Sequence, residues 1–83
     1  NGANPDTLYY LGLVSAKLGE HENAEIYYLL SLEIEPKYFD IYKDLGILYL
    51  TTNRKNKALE KLEILKNCNC QEYNDLKELI EKK

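Results

Sequence analysis

Residue types that mark particular protein classes are scarce in this 83-residue sequence, which has no tryptophan, no methionine, one histidine and two cysteines. Its apolar runs are shorter than the roughly 20 residues that a membrane-spanning helix needs. No basic stretch followed by an apolar segment opens the chain, so no targeting signal is indicated. At 45% hydrophobic residues, the chain is too apolar for intrinsic disorder, and its length predicts one small folded domain.

Clustered positive charge is also missing from the sequence, because acidic and basic residues interleave and the net charge is −3. A nucleic acid needs a positive face to neutralise its phosphates. We therefore predict no nucleic-acid partner and no membrane partner.

The two cysteines, Cys68 and Cys70, are separated by one residue, a spacing awkward for a mutual disulfide. A structural zinc site would need two further ligands. We predict two free thiols in a reducing compartment, and hence a cytoplasmic protein without a metal or cofactor.

Groups for catalysis do not converge in the sequence either. His21 is flanked by Glu20 and Glu22 in a predicted turn, without the nucleophile, base and orienting group that catalysis needs. The other acidic residues are spread over polar helix faces. We predict that the chain is not an enzyme and has neither catalytic residues nor a metal site.

A 34-residue period is the strongest feature of the sequence. Leu11-Gly12 recurs as Leu45-Gly46, and Ala24 recurs as Ala58 at the same interval. Such periods indicate repeated supersecondary units that stack on one another.

Helix start and stop signals divide each period into two helices. Asn4 and Pro5 are suited to a helix start, Gly19 and Asn53 to left-handed helix ends, and Pro36 to a stop. Apolar spacing then predicts five helices, at about Pro5–Leu18, Glu22–Glu35, Phe39–Thr52, Lys55–Asn67 and Gln71–Lys83.

A 34-residue helix-turn-helix unit with these residues resembles the tetratricopeptide repeat family. The resemblance is carried by Leu8, Leu11, Gly12, Ala24, Tyr28 and Pro36 in the first repeat, and by Tyr42, Leu45, Gly46, Tyr49, Ala58 and Leu62 in the second. It implies an all-α fold, in which two antiparallel hairpins form a right-handed superhelical stack followed by a C-terminal capping helix.

The domain organisation follows from the same resemblance. We expect a single domain with repeats at 5–38 and 39–70 and a capping helix at 71–83, within a longer protein. The predicted core comprises Gly12, Gly46, Ala24, Ala58, Leu11, Leu45, Tyr28 and Leu62.

In this family the first helix of each hairpin lines a concave groove that binds peptides or proteins. The corresponding residues here are Tyr9, Leu13, Lys17, Lys43, Ile47, Leu50 and Lys77, continued by Glu81. Apolar residues beside lysines favour a peptide with an acidic group or a terminal carboxylate. Tyr9, Leu13 and Asp44 stand where a chaperone-tail clamp has its lysine and asparagines, so that clamp is absent.

A second apolar stripe lies on the second helix, away from its predicted core face. It consists of Ile26, Leu29 and Leu30, joined by Tyr27. A helix that is apolar nearly all round is normally buried on both sides. The leading prediction is a protein-binding adaptor or scaffold that uses the groove. The alternatives are self-association as a homodimer through this stripe, or a regulatory appendage of an enzyme in the parent chain.

Overall fold

The computed structural model describes residues 4–82, which contain five α-helices and no β-strand. This confirms the predicted all-α class and the number of helices. The helices are α1 (Pro5–Lys17), α2 (His21–Ile34), α3 (Phe39–Thr51), α4 (Lys55–Leu65) and α5 (Gln71–Lys82).

The predicted start and stop signals act as expected. The side chain of Asn4 accepts hydrogen bonds from the backbone N–H groups of Asp6, at 2.8 Å, and Thr7, at 3.4 Å. These bonds satisfy donors that the first turn of a helix leaves open. After α1 and α3 the chain turns through left-handed residues, Gly19 with φ of 80° and Asn53 with φ of 63°.

Several helix bounds differ from the sequence prediction by one or two residues. Helices α1, α2 and α3 each end one residue earlier than predicted. Helix α2 begins at His21, a residue predicted to lie in the turn, and α4 ends at Leu65, two residues before the predicted Asn67. After Leu65 the backbone hydrogen bonds join residues three apart instead of four. Lys66 N–H donates to Glu63 O, and Cys68 N–H donates to Leu65 O. Such three-residue bonds close the last turn and end a helix. Lys83, the predicted last residue of α5, lies outside the described residues.

The chain divides into two compact units, Asn1–Tyr38 and Phe39–Lys83. In the first unit α1 packs against α2 as an antiparallel hairpin. A side chain at Gly12 would place its Cβ 2.5 Å from Cε1 of Tyr28, so the glycine is what lets this ring lie on α1. The buried hydroxyl of Ser31 donates to the carbonyl of Pro5 at 2.7 Å, which satisfies a polar group inside the hairpin.

In the second unit α3 packs against both α4 and α5. A Cβ at Gly46 would lie 2.6 Å from Cδ2 of Leu76, so this glycine admits a side chain of α5. Leu45, Leu65 and Leu76 are fully buried. The second unit is therefore a three-helix layer whose core α5 completes.

Two residues predicted for the core are less buried than expected. Leu11 is 38% exposed and Leu62 is only half-buried. Within its own unit α1 packs against one helix, whereas α3 packs against two. The stripe of α1 that bears Leu11 is consequently left partly open.

The prediction of free thiols is wrong, because Cys68 and Cys70 form a disulfide. Asn69 between them adopts a left-handed conformation with φ of 57°. This bend holds the two Cα atoms 5.2 Å apart, within the range that disulfides accept. The spacing is awkward only for an extended or helical chain, and here the chain is neither.

Candidate partner-binding surfaces

In the first unit the predicted binding residues follow one face of α1. Tyr9, Leu13 and Lys17 are four residues apart, and this spacing aligns side chains along a helix. The Tyr9 ring contacts two other rings, with its centroid 6.0 Å from that of Tyr28 and 5.1 Å from that of Tyr38. Leu13 is half-buried and Lys17 is exposed. This face of α1 therefore presents an aromatic side chain, Tyr9, and an aliphatic one, Leu13, followed by the positive charge of Lys17 at the end of the helix.

In the second unit the predicted residues differ in how much surface they present. Ile47 is half-buried, whereas Leu50 is only 8% exposed and offers a partner little surface. Lys77 on α5 is exposed, and its Nζ lies 6.0 Å from the centroid of the Tyr73 ring. Lys43 lies 3.9 Å from a carboxylate oxygen of Asp75. Lys43 thus lies close to α5, where it already forms an ion pair with Asp75.

The surroundings of Lys43 are acidic. A side-chain hydrogen bond with Asp40 raises the pKa of Glu72, and the nearby charge of Lys43 opposes this shift. A shared proton eases the repulsion between two neighbouring carboxyl groups, which accounts for the direction of the pKa shift. Of the three lysines predicted to bind a partner, Lys17 and Lys77 form no ion pair with any described residue.

The apolar stripe on the outer face of α2 is exposed. Ile26 is 54% exposed, and Leu29 and Leu30 are each 42% exposed. Tyr27 is half-buried. Across the helix, the inner face is buried through Ala24, Tyr28 and Ser31. Helix α2 therefore carries apolar residues on two faces, of which only one is covered.

Sequence reasoning missed a basic surface at the start of α4. Arg54, Lys57 and Lys61 all lie over the ring of Tyr49, with the cationic atoms 4.6, 5.8 and 6.0 Å from its centroid. The inference that interleaved charges leave no basic face is therefore wrong for this helix. Helical spacing was the available signal, since the three residues follow an i, i+3, i+7 pattern.

Neither a metal-ligand cluster nor a membrane-spanning helix is found in the part of the chain that the structure describes. No three histidine, cysteine, aspartate or glutamate side chains within residues 4–82 lie close enough together to hold a metal ion. The half-buried His21 keeps its Nδ1 atom without a hydrogen-bond partner. None of the helices in this range has the length and apolar character needed to cross a membrane.

Two sequence models of the tetratricopeptide repeat family match the chain, one at residues 5–38 and the other at residues 27–60. Together they cover residues 5–60, more than half of the sequence. The chain belongs to the tetratricopeptide repeat family. The first match spans the α1–α2 hairpin, and the second runs from within α2 to within α4. No curated protein and no solved structure matches the chain significantly.

Membership of this family determines the broad class of function. Tetratricopeptide repeats generally mediate protein–protein interactions and are non-catalytic modules. A protein partner is thus the expected ligand. Family membership alone does not determine which surface of each unit binds the partner.

Proposed function

We propose that this protein binds a peptide or protein segment through the faces of α1 and α3 that carry the predicted binding residues. One observation carries the proposal. Leu13 and Ile47 are separated by one repeat period, occupy the same place in the two first helices, and both remain partly exposed. Apolar side chains that stay open at equivalent positions suit a repeated contact with an extended or helical ligand.

The positive charges of Lys17 and Lys77 support an acidic group on that ligand, whereas that of Lys43 supports it less. Lys17 and Lys77 carry no ion pair among the described residues, whereas Lys43 faces Asp75. A ligand carboxylate would gain more from an unpaired lysine than from one that must first leave a carboxylate. We therefore assign the acidic contact to Lys17 or Lys77.

An adaptor or scaffold is the role we propose for such a module. The cytoplasmic prediction depends on free thiols, and the Cys68–Cys70 disulfide removes that support. The proposal for the binding surfaces does not depend on the compartment.

A displayed library of random peptides, followed by calorimetric titration of a selected peptide, tests the proposal. Leu13→Gln and Ile47→Gln should each weaken binding about tenfold, because each removes one of the apolar contacts proposed for the ligand. Leu59→Gln is the matched control, since Leu59 is exposed on α4. Circular dichroism melts would verify that all three variants are folded. Equal affinities for the parent and both α1 and α3 variants would contradict the proposal.

Self-association through the outer stripe of α2 is a second candidate, favoured by the exposure of Ile26, Leu29 and Leu30. Contiguous exposed apolar residues mark protein interaction sites. Sedimentation of the parent should show a dimer that Ile26→Glu/Leu30→Glu dissociates. Leu59→Glu/Ile64→Glu, which places the same charges on α4, should leave the dimer intact. A strict monomer at high micromolar concentration would exclude this candidate.

A further inference from the structure

Three cations of the second unit gather over one tyrosine ring. Tyr49 is buried, and Arg54, Lys57 and Lys61 approach its ring to within 6.0 Å. We name these three basic residues the α4 cationic stripe. Cation–π attraction to a single ring holds the three charges near one another at the surface.

Neither Lys57 nor Lys61 forms an ion pair within the described part of the chain. They are four residues apart on α4, a spacing at which like charges repel across one helical turn. A carboxylate from a partner would offset this repulsion, which favours binding of a negatively charged group at the stripe.

The stripe lies in the most basic segment of the sequence. Residues 54–66 contain five basic and two acidic residues, a net charge of +3. The rest of the chain contains six basic and twelve acidic residues, a net charge of −6. The basic excess of the sequence is therefore concentrated in one helix and its flanks, while the rest of the chain carries an acidic excess.

We propose that the α4 cationic stripe binds a short acidic segment of a partner protein. Helix α4 has 11 residues and is about 16 Å long, which an extended peptide of about five residues can span. A nucleic acid that continued past the helix would meet the rest of the second unit, where residues 39–53 and 67–83 hold six acidic and four basic residues. A short run of aspartates or glutamates therefore fits better. The stripe shares no residue with the α1 and α3 faces proposed above and adds a second contact surface.

Fluorescence anisotropy with a labelled hexaglutamate peptide at low salt tests this surface on the full chain. Lys57→Glu/Lys61→Glu should raise the dissociation constant at least tenfold. The matched control is Lys37→Glu/Lys82→Glu, which reverses two exposed lysines elsewhere and changes the net charge equally. The control should raise the constant less than threefold. A labelled hexaglutamine peptide should not bind, and binding of hexaglutamate should weaken as salt is added.

Several outcomes would overturn the proposal. Equal losses in the two double variants would show that only net charge matters. A loss as large in Leu13→Gln or Ile47→Gln would move the acidic peptide to the faces of α1 and α3. Tighter binding of a 12-nucleotide oligouridine than of hexaglutamate would replace the acidic protein segment with nucleic acid. Absence of any hexaglutamate binding to the parent at millimolar concentration would exclude the site.

Discussion

Leu11 and Leu45 hold the same position in the two repeats, yet Leu11 is 38% exposed and Leu45 is fully buried. The next apolar residues on the two helices repeat the contrast, with Val14 38% and Leu48 4% exposed. Helix α3 packs against two helices of its own unit and α1 against one. A repeated sequence pattern therefore specifies which residues can be buried, and the neighbouring helices decide which of them are.

The distribution of exposed apolar side chains shows the same difference between the units. Eight of the eleven large exposed apolar residues found in the described chain belong to the first unit and three to the second. The first unit thus retains apolar surface that is available for a partner. The second unit buries most of its large apolar side chains among its three packed helices.

Paired alanine substitutions give the sharpest test of this contrast. Leu45→Ala should lower the free energy of unfolding by about 2–5 kcal/mol, as expected for a fully buried leucine. Leu11→Ala should cost about half as much or less, because part of its side chain is already in water. Chemical denaturation of both variants measures the difference. Equal losses would show that the two positions are equally buried in solution.

The two equivalent glycines should also respond differently to alanine. A Cβ at residue 12 meets the ring of Tyr28, which packs beside Tyr9, whereas a Cβ at residue 46 meets the methyl groups of Leu76. Both methyl groups of Leu76 lie within 2.7 Å of that Cβ and the side chain is fully buried, so Leu76 must shift as well, but it is smaller than a tyrosine ring. We expect both substitutions to cost about 1–3 kcal/mol through overpacking, with the larger loss for Gly12→Ala.

Thermal melts of the two glycine variants provide the measurement. Gly12→Ala combined with Tyr28→Leu serves as the control, because it replaces the rigid ring with a side chain like Leu76. That pair should recover part of the overpacking loss. A larger loss for Gly46→Ala than for Gly12→Ala would contradict the assigned neighbours.

The disulfide should stabilise only the second unit, and modestly. Cys68 and Cys70 close a loop of three residues, for which loss of chain entropy in the unfolded state predicts about 1.5 kcal/mol. Cys68→Ser/Cys70→Ser should speed hydrogen exchange in α5 and leave the amides of α1 and α2 unchanged. Faster exchange throughout the first unit would show that the effect of the disulfide is not confined to its own unit.

The smallest expected effect concerns Glu72, whose pKa is raised above 4.5 chiefly by its hydrogen bond with Asp40. A raised carboxyl pKa means that the folded state binds the proton more tightly, so this stabilisation is complete at low pH and is lost as pH rises through the folded pKa. Glu72→Gln should stabilise the protein at pH 7 by less than about 0.5 kcal/mol, since the site is mostly solvated.

That gain should shrink at low pH, as the Glu72 carboxyl of the parent becomes protonated. Urea denaturation at pH 7 and pH 4 measures both values. Glu78→Gln, at an exposed position of the same helix, is the matched control for the loss of one carboxylate. A gain for Glu72→Gln that grows at low pH would reverse the assigned direction of the shift.

Much of the helical layout could be predicted because its signals are local. Asn4, Pro5, Gly19 and Asn53 each act on the backbone within a few residues, and the structure shows their effects at the expected places. The 34-residue period likewise depends on the sequence alone. It led to the family that the sequence models independently match.

The candidate surfaces were harder to predict because they depend on contacts between helices. Lys43 and Asp75 are distant in sequence, and their ion pair exists only because α5 packs against α3. The Cys68–Cys70 pairing depends on the backbone angle of Asn69, and asparagine only favours that angle without requiring it. The spacing of the three residues of the α4 cationic stripe along one helix face can be read from the sequence. That all three lie over the ring of Tyr49 cannot, because Tyr49 is on another helix, α3.

The packing of each helix against neighbours close in sequence also bears on how fast the protein folds. Helices α1 and α2 are joined by three residues, and the other packed pairs in the second unit are separated by at most one helix. Folding slows as contacts join residues farther apart along the chain. Helical proteins dominated by such near contacts fold in roughly microseconds to milliseconds. A newly made chain would therefore cover its buried faces soon after each hairpin is complete, which shortens the time in which its many apolar side chains could aggregate.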